Sequence, residues 1–242
     1  LLNEQYGGRA DDGLIEAEAG TLDVSGEFDN LGRLNIMTGQ GTAISKHYID
    51  REEARAGSGT FLNEGTVAIA AGGALLARTN ATISSSGTMD SRGEVAVATG
   101  ASFYNENGGQ FDLNDGDLTG AGSFVNRGFF RKIGPGTSTI LLSFTNDYVA
   151  RGDDGIVEAE AGTLDIGGEF DNLGRLNIMT GQGTAISKHY IGGRTRAGSG
   201  TFTNSGVVDL ASGSSLHANP NTTVSSTGQF RVGGLLAVQA GG

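Results

Sequence analysis

The chain of 242 residues contains no cysteine, so no disulfide stabilises its fold and no thiolate binds a metal or attacks a substrate. Proline supplies only 2 residues and the 43 glycines follow no Gly-X-Y period, which excludes collagen. No apolar run approaches the ~18 residues of a membrane span. Cations are scarce, 16 against 27 acidic residues, and the net charge of −11 disfavours nucleic acid as a partner because phosphates are repelled.

The high glycine content excludes a long helical bundle, because each glycine costs a helix interior about 1 kcal/mol. At 37% hydrophobic residues the chain is too apolar for a solvated tail. Many short strands separated by turns remain. The start Leu1-Leu2-Asn3 has neither an initiator Met nor a basic region before an apolar stretch, so we expect an excised piece of a longer protein.

A long internal repeat organises the sequence. Shifted by 142 residues, the stretch 13–49 aligns with 155–191, and 33 of the 37 positions are identical. Three of the four differences exchange one aliphatic side chain for another, as expected where side-chain volume is buried. We therefore divide the chain into a first copy, residues 1–142, and a second, truncated copy, residues 143–242, of one continuous solenoid.

A shorter motif recurs inside each copy: an aromatic residue or Met, then Asn or Ser two positions on and Gly four positions on. It reads Phe28-x-Asn30-x-Gly32, Phe61-x-Asn63-x-Gly65, Met89-x-Ser91-x-Gly93, Phe124-x-Asn126-x-Gly128, Phe170-x-Asn172-x-Gly174 and Phe202-x-Asn204-x-Gly206, with a weaker version at Phe144-x-Asn146. Short segments of period-two alternation follow these glycines, and such alternation predicts strands.

These units predict an all-β fold, a right-handed parallel β-helix (β-solenoid) of about 10–12 coils. A single unit has almost no core, but coils stacked at about 4.8 Å place Phe on Phe and Asn on Asn. The predicted structural core is Phe28, Phe61, Phe124, Phe170 and Phe202, and the predicted turn ladder is Asn30, Asn63, Asn126, Asn172 and Asn204. A β-sandwich or jelly roll is the alternative, because turn signals about every 8 to 12 residues also fit that fold.

The anchors and the stretch 122–140 resemble the tandem repeats of very large secreted bacterial surface proteins. That stretch contains Gly122-Ser123-Phe124-Val125-Asn126-Arg127-Gly128, then Lys132, Gly134 and Gly136-Thr137-Ser138-Thr139-Ile140. The similar proteins are of the filamentous-haemagglutinin, autotransporter-passenger and repeat-adhesin kind, in which units like Gly162-Thr163-Leu164-Asp165-Ile166 alternate with Phe-x-Asn-x-Gly units. The resemblance covers nearly the whole chain. It implies a right-handed parallel β-helix, an extracellular or bacterial cell-surface location, and no shared catalytic residues or cofactor.

We therefore expect a structural segment, a rigid stalk, fibre or matrix element, whose partners are neighbouring copies of the repeat through end-to-end or lateral self-association. The alternative is an adhesin that binds a glycan or a host or cell-surface protein through lateral loops such as residues 37–56. A loop with Lys, His and Tyr would hold an anionic or sugar ligand, although a plain surface protrusion fits the same residues. The candidate ligand residues are Lys46, His47 and Tyr48, repeated as Lys188, His189 and Tyr190.

Turn carboxylates are candidate calcium ligands, because calcium prefers hard oxygen donors. The candidates are Asp115, Asp117, Asp153 and Asp154. Their surroundings match neither an EF-hand loop nor the nonapeptide calcium repeat, so solvated turn carboxylates are the alternative.

A third interpretation is a polysaccharide-degrading β-helix enzyme, which needs two carboxylates about 5 to 10 Å apart. Glu16 and Glu18, repeated as Glu158 and Glu160, alternate with alanine and share one strand face, where like charges repel. The repeat continues without a segment that breaks its pattern. We therefore expect no catalytic residues and no enzymatic activity.

Overall fold

The computed structural model describes residues 2–3, 14–18, 21–24, 27–44, 59–147, 155–179, 183–186, 190–191, 194–195, 201–218 and 222–238. In these ranges short strands wind into a parallel β-solenoid, and each coil contributes one strand to each of three ten-stranded sheets. The predicted solenoid is confirmed. The sandwich alternative is wrong, because neighbouring strands in all three sheets pair in parallel. The right hand of the coil stays a prediction.

The strands are numbered in chain order and grouped here by sheet. Sheet 1 contains β1 Leu2–Asn3, β4 Glu27–Asn30, β7 Thr60–Asn63, β10 Thr82–Ser85, β13 Ser102–Asn105, β16 Ser123–Asn126, β19 Ser143–Asn146, β22 Phe170–Asn172, β27 Thr201–Asn204 and β30 Thr223–Ser226. Sheet 2 contains β2 Leu14–Ala17, β5 Arg33–Ile36, β8 Thr66–Ile69, β11 Thr88–Ser91, β14 Gln110–Leu113, β17 Phe129–Lys132, β20 Ile156–Ala159, β23 Arg175–Ile178, β28 Val207–Leu210 and β31 Gln229–Val232. Sheet 3 contains β3 Thr21–Val24, β6 Gly41–Ile44, β9 Ala74–Ala77, β12 Glu94–Val97, β15 Asp117–Gly120, β18 Thr137–Ile140, β21 Thr163–Ile166, β24 Gly183–Ile186, β29 Ser215–Ala218 and β32 Leu235–Val238.

The core is a narrow cluster enclosed by the three sheets. Successive side chains of a strand point to opposite faces, so the second and fourth residues of a four-residue strand fill the interior. In β7, for example, Phe61 and Asn63 are buried while Thr60 and Leu62 are half-buried on the outer face. The same alternation continues from coil to coil and leaves three outer faces along the solenoid.

The last glycine of the Phe-x-Asn-x-Gly motif lets successive turns approach closely. A Cβ on Gly65 would lie 2.1 Å from the Gly32 carbonyl oxygen, and one on Gly206 would lie 2.0 Å from the Gly174 carbonyl oxygen. Left-handed backbone occurs at other corners, such as Gly72 with a φ of 77°. The motif glycine is therefore required by the short distance between successive coils. It is not required by a left-handed φ.

The register of sheet 3 shifts by two residues between β15 and β18. Leu118 pairs with Ile140, whereas continuation of the pairing in the flanking coils would place it beside Ser138. A shift of two residues leaves each side chain on its own face. Ser138 is fully buried at this shift, and its hydroxyl has no hydrogen-bond partner within the described part of the chain.

Coil length varies along the solenoid, and the two longest coils occupy equivalent places in the two copies of the 142-residue repeat. Successive ladder residues are 33 apart from Asn30 to Asn63 and 32 apart from Asn172 to Asn204, against only 20 from Asn126 to Asn146. The extra residues of the later long coil include β25 Tyr190–Ile191 and β26 Arg194–Thr195, which pair antiparallel outside the three sheets.

Candidate functional site

The five predicted core phenylalanines are fully buried on the inner side of sheet 1. The ring centroids of Phe28 and Phe61 are 4.9 Å apart, and those of Phe170 and Phe202 are 5.0 Å apart, with both pairs stacked. Phe124 stacks on Phe103 at 4.8 Å. Such ring pairs contribute about 0.5–1.5 kcal/mol beyond the apolar area they bury.

Asparagine side chains form an amide ladder beside this stack. Each Nδ2 donates to the next coil, to a serine hydroxyl from Asn63 and Asn204 and otherwise to an asparagine Oδ1, at 2.8 Å from Asn105 to Asn126 and at 2.8 Å from Asn126 to Asn146. The Asn126 Nδ2 also donates to the Ile156 carbonyl oxygen at 3.0 Å. The predicted members Asn30, Asn63, Asn126, Asn172 and Asn204 all lie in this ladder. The ladder is interrupted before Asn105, whose Oδ1 has no hydrogen-bond partner among the described residues. Because the buried amides hydrogen-bond between coils in one direction, they stabilise the stacking of coil on coil.

The motif assignment at residues 89–93 was wrong. This segment lies on sheet 2, where the Ser91 hydroxyl donates to a backbone carbonyl of its own turn. The sheet 1 position of that coil belongs to residues 83–87, and there Ser85 accepts a hydrogen bond from Asn63 at 2.9 Å. Met89 and Ser91 match the motif only in their spacing. In this coil the ladder position on sheet 1 is occupied by Ser85, two residues after the aliphatic Ile83.

An ion pair between a buried lysine and an exposed aspartate joins two coils near the register shift. The Lys132 side chain is fully buried, its Nζ lies 2.8 Å from Asp115 Oδ1, and it also donates to the Gly134 carbonyl oxygen. Asp115 has a left-handed φ of 63° and accepts the Gly136 backbone N–H at 2.9 Å. The hydrogen bond from Lys132 lowers the pKa of Asp115 below its ordinary 3.8. The carboxylate therefore already has a cation from the chain itself.

Two of the predicted calcium ligands have protein partners. Asp115 pairs with Lys132, and Asp117 Oδ1 accepts the Thr139 backbone N–H at 2.8 Å. Asp153 and Asp154 lie outside the described residues. Among the residues that are described, no three His, Asp or Glu side chains form a group that would hold a metal ion.

Most of the predicted ligand loop lies outside the described residues, namely Lys46, His47, Tyr48, Lys188 and His189. Tyr190 begins β25, and its backbone pairs with Thr195 in the short antiparallel hairpin. This hairpin belongs to none of the three sheets, so this part of the loop leaves the solenoid.

The outer face of sheet 2 carries charges of both signs. Arg131 contacts Asp112 through two parallel bonds of 2.8 and 2.7 Å, and these bonds raise the pKa of the guanidinium above its ordinary value. Asp209 lies 3.9 Å from Arg175 and 3.6 Å from Arg231. Arg131, Arg175 and Arg231 are thus each paired with a carboxylate of an adjacent coil.

Three of the repeated glutamates have partners on neighbouring coils. Asn35 donates to Glu16 at 2.8 Å, and the equivalent Asn177 donates to Glu158 at 2.8 Å. Glu160 lies 3.6 Å from the Arg131 guanidinium. Each of these three carboxylates is used in a contact between coils.

The outer face of sheet 1 differs from both others over the five coils from β7 to β19, and we call this surface the hydroxyl face. Its ten half-buried outer residues are Thr60, Leu62, Thr82, Ser84, Ser102, Tyr104, Ser123, Val125, Ser143 and Thr145. None of these ten is charged, and eight carry a hydroxyl group. In the strand register Asp29 precedes Leu62 and Asp171 follows Thr145, so a carboxylate flanks the face at each end.

Several residues of the stack and the ladder lie outside the predicted sets, and two of them, Phe144 and Asn146, form the weaker version of the motif. The stack also contains Phe103 and Phe144, with Phe111 and Phe130 packed against it from sheet 2 at 5.2 and 5.7 Å from Phe124. The ladder includes Ser85, Asn105, Asn146 and Ser226, whose strands match the motif only without its final glycine or its aromatic residue. The burial of Lys132 was also missed: alternation places it on the inner face with Phe130, but lysine is almost never fully buried unless it is paired.

The described chain is thus a parallel β-solenoid with a polar ladder inside and three distinct outer faces. No helix in the described part is long and apolar enough to cross a membrane. No protein-family profile and no curated protein matches the sequence. The chain is similar to a solved structure, the crystal structure of the TibC-catalysed hyper-glycosylated fragment 55–350 of TibA, with 15% identity over 94% of this chain and 91% of that chain and a TM-score of 0.21. Identity and superposition at this level relate the two chains in neither activity nor partner.

Proposed function

We propose that this chain is a rigid structural segment, a stalk, fibre or matrix element, of a large bacterial surface or secreted repeat protein. The observation that carries the proposal is the continuity of the three sheets, each of which runs through ten coils and through both copies of the long repeat. With a rise of about 4.8 Å per coil, these sheets extend for about 43 Å. A stalk needs only this stack, so its function is mechanical and requires no catalytic group.

Two interior rows support this function because they act between coils. Every coil step from Asn105 to Asn204 has an amide hydrogen bond of 2.7 or 2.8 Å, and phenylalanine rings stack alongside. Bending the rod would separate these rows on one side and break buried hydrogen bonds, at a cost of about 1–3 kcal/mol for each unsatisfied group. Stiffness along the axis therefore follows from the interior rather than from the variable outer faces.

Small-angle scattering on chains that carry increasing numbers of the 142-residue copy tests the stalk. One copy adds six coil steps, from β4 to β22, so each added copy should lengthen the particle by about 29 Å without broadening its cross-section. A maximum dimension that grows by much less, or a profile typical of beads on a flexible chain, would contradict the rigid segment.

The adhesin remains a second candidate because of where the chain leaves the solenoid. The two longest coils, 33 and 32 residues, occupy equivalent places in the two copies, and the hairpin of β25 and β26 departs from the later one. Repeated lateral projections of this kind would present the Lys-His-Tyr clusters at regular intervals along a rod.

Glycan-array binding tests the adhesin. Replacing Lys46, His47 and Tyr48 together with the equivalent Lys188, His189 and Tyr190 by alanine should abolish binding if the projections hold the ligand. Unchanged binding by this variant would contradict that role, and it would leave the scattering test of the stalk unaffected.

A further inference from the structure

The hydroxyl face presents a regular array of hydrogen-bonding groups. Parallel pairing places Thr60, Thr82, Ser102, Ser123 and Ser143 in one row along the solenoid axis, one residue per coil. A hydroxyl can both donate and accept hydrogen bonds, so the row repeats this capacity at about every 4.8 Å. Within the row, the Ser123 hydroxyl donates to the Ser102 hydroxyl at 3.1 Å, which leaves acceptor capacity on both residues. An extended chain of β-1,4-linked hexoses advances by a similar distance per sugar and offers hydroxyls of the same kind.

The second row of the hydroxyl face contains an aromatic ring at its centre. Tyr104 lies between Ser84 and Val125 in register, and the Arg127 guanidinium carbon is 5.2 Å from its ring centroid. Arg127 is itself held by Glu106 and Asp147, each at 3.3 Å, so the tyrosine has a fixed support. An aromatic residue with an apolar body and a polar tip suits a sugar, whose C–H face and hydroxyl edge have the same character.

The charge of the hydroxyl face and of the whole chain indicates which class of polymer the face binds. The ten residues of the hydroxyl face are uncharged between Asp29 and Asp171, and the whole chain carries a net charge of −11. The ion-paired Glu106, Arg127 and Asp147 lie at the edge of the face, where Glu106 accepts a hydrogen bond from the Ser84 hydroxyl at 3.2 Å. A polyanion would be repelled by the net negative charge, whereas a neutral polymer would not be. The paired Arg127 at the edge offers no uncompensated cation to attract an anionic chain.

Area argues against a protein partner or a second copy of this chain on this face. Four-residue strands stacked over five coils cover about 250–300 Å². Two such faces would bury about half of the 1,000 Å² or more that a specific protein interface needs. A narrow sugar chain fits the area, and weak contacts repeated along one polymer add up through effective concentration. The face starts again above Asp171 with Thr201, Thr203, Thr223 and Ser225, as such repetition requires.

We propose that the hydroxyl face binds a neutral, extended β-1,4-linked polysaccharide that lies parallel to the solenoid axis. This is a surface separate from the lateral loops, and it adds a ligand to the mechanical function without depending on it.

Two cellulose derivatives with the same backbone and different charge test the proposal. In affinity electrophoresis the chain should be retarded by hydroxyethyl cellulose and not by carboxymethyl cellulose at low salt. The variant Ser123→Asp should weaken the retardation by at least tenfold in apparent Kd, whereas Thr88→Asp, an equivalent change on the outer face of sheet 2, should not. Retardation by the anionic polymer alone, or by neither polymer, would overturn the proposal.

A second pair of variants separates ring contact from general surface effects. Tyr104→Ala should weaken hydroxyethyl cellulose binding, and Phe129→Ala, which removes an outward ring beside Arg131 on sheet 2, should leave it unchanged. Equal loss in both variants, at unchanged thermal midpoints, would contradict the assignment to sheet 1. A dimer in sedimentation that Ser123→Asp dissolves would also overturn it, because the face would then belong to a second copy.

Discussion

The Lys132 ammonium nitrogen lies 2.8 Å from a carboxylate oxygen of Asp115, although the lysine side chain is fully buried among the interior residues. Lys132 belongs to β17, and Asp115 precedes β15 in the coil before it, so the pair connects neighbouring coils. Both residues lie close in sequence to the two strands where the register of sheet 3 shifts. The charged pair thus lies beside the one register shift among the described strand pairs.

Replacing Asp115 should cost more stability when Lys132 is present than when the lysine has been replaced as well. Asp115→Asn keeps a residue that tolerates a left-handed φ but leaves a buried ammonium without a counter-ion, and we expect a loss of about 1–3 kcal/mol in the free energy of unfolding. In the background of Lys132→Met the same change should cost less than about 0.5 kcal/mol. Urea unfolding of the four proteins measures the coupling. Additive effects of the two substitutions would show that the contact contributes nothing.

Acid should weaken the solenoid through the same carboxylate. The pKa of Asp115 is lowered below 3.8 in the folded chain by the hydrogen bond from Lys132, so its contribution is present above the unfolded pKa and is lost as the pH falls through the folded one. The stability difference between the native chain and Asp115→Asn should therefore be constant near pH 7 and shrink below about pH 4. Urea midpoints at several pH values measure it, and a difference that grows on acidification would have the wrong sign.

Truncation of a ladder amide should be costly for its size. Asn126→Ala leaves the Asn105 donor and the Asn146 acceptor without their 2.8 Å bonds, and we expect a loss of about 2–4 kcal/mol. Asn126→Ser should cost less, because serine occupies the ladder at Ser85 and accepts there from Asn63. Thermal unfolding followed by circular dichroism ranks the variants. If alanine were tolerated as well as serine, the ladder would not hold the coils.

Truncation of the central ring should create a cavity in the middle of the stack. Phe124 is fully buried and its centroid lies within 5.7 Å of those of Phe103, Phe111 and Phe130, so Phe124→Ala should cost about 3–5 kcal/mol. Val125→Ala in the same strand, on the outer face, is the matched control and should cost under about 1 kcal/mol. A change within about 0.5 kcal/mol for Phe124→Ala would contradict the inward position of the ring.

Local pattern was enough to predict the solenoid and one of its faces. The Phe-x-Asn-x-Gly spacing predicts an inward ring and an inward amide on one strand, since residues two apart share a face, and Phe170 and Asn172 lie in this way. Where the spacing occurred twice within one coil, as at residues 83–87 and 89–93, pattern alone chose the wrong strand. Hydrophobic alternation is the same in all three sheets, so it does not say which sheet a strand joins.

By itself the sequence determined that side chains alternate between the interior and the surface along short strands, and that glycine lies between these strands. It also determined that this pattern of strands and turns repeats after 142 residues. Those features depend on neighbours along the chain. Tertiary structure alone decided which coil lies on which: the pairing of Lys132 with Asp115, the shift that brings Leu118 beside Ile140, and the alignment of Ser102 with Ser123 on an uncharged face. The physical reason is that these contacts join residues about 20 positions apart through turns of unequal length, and a difference of one turn residue changes every partner that follows.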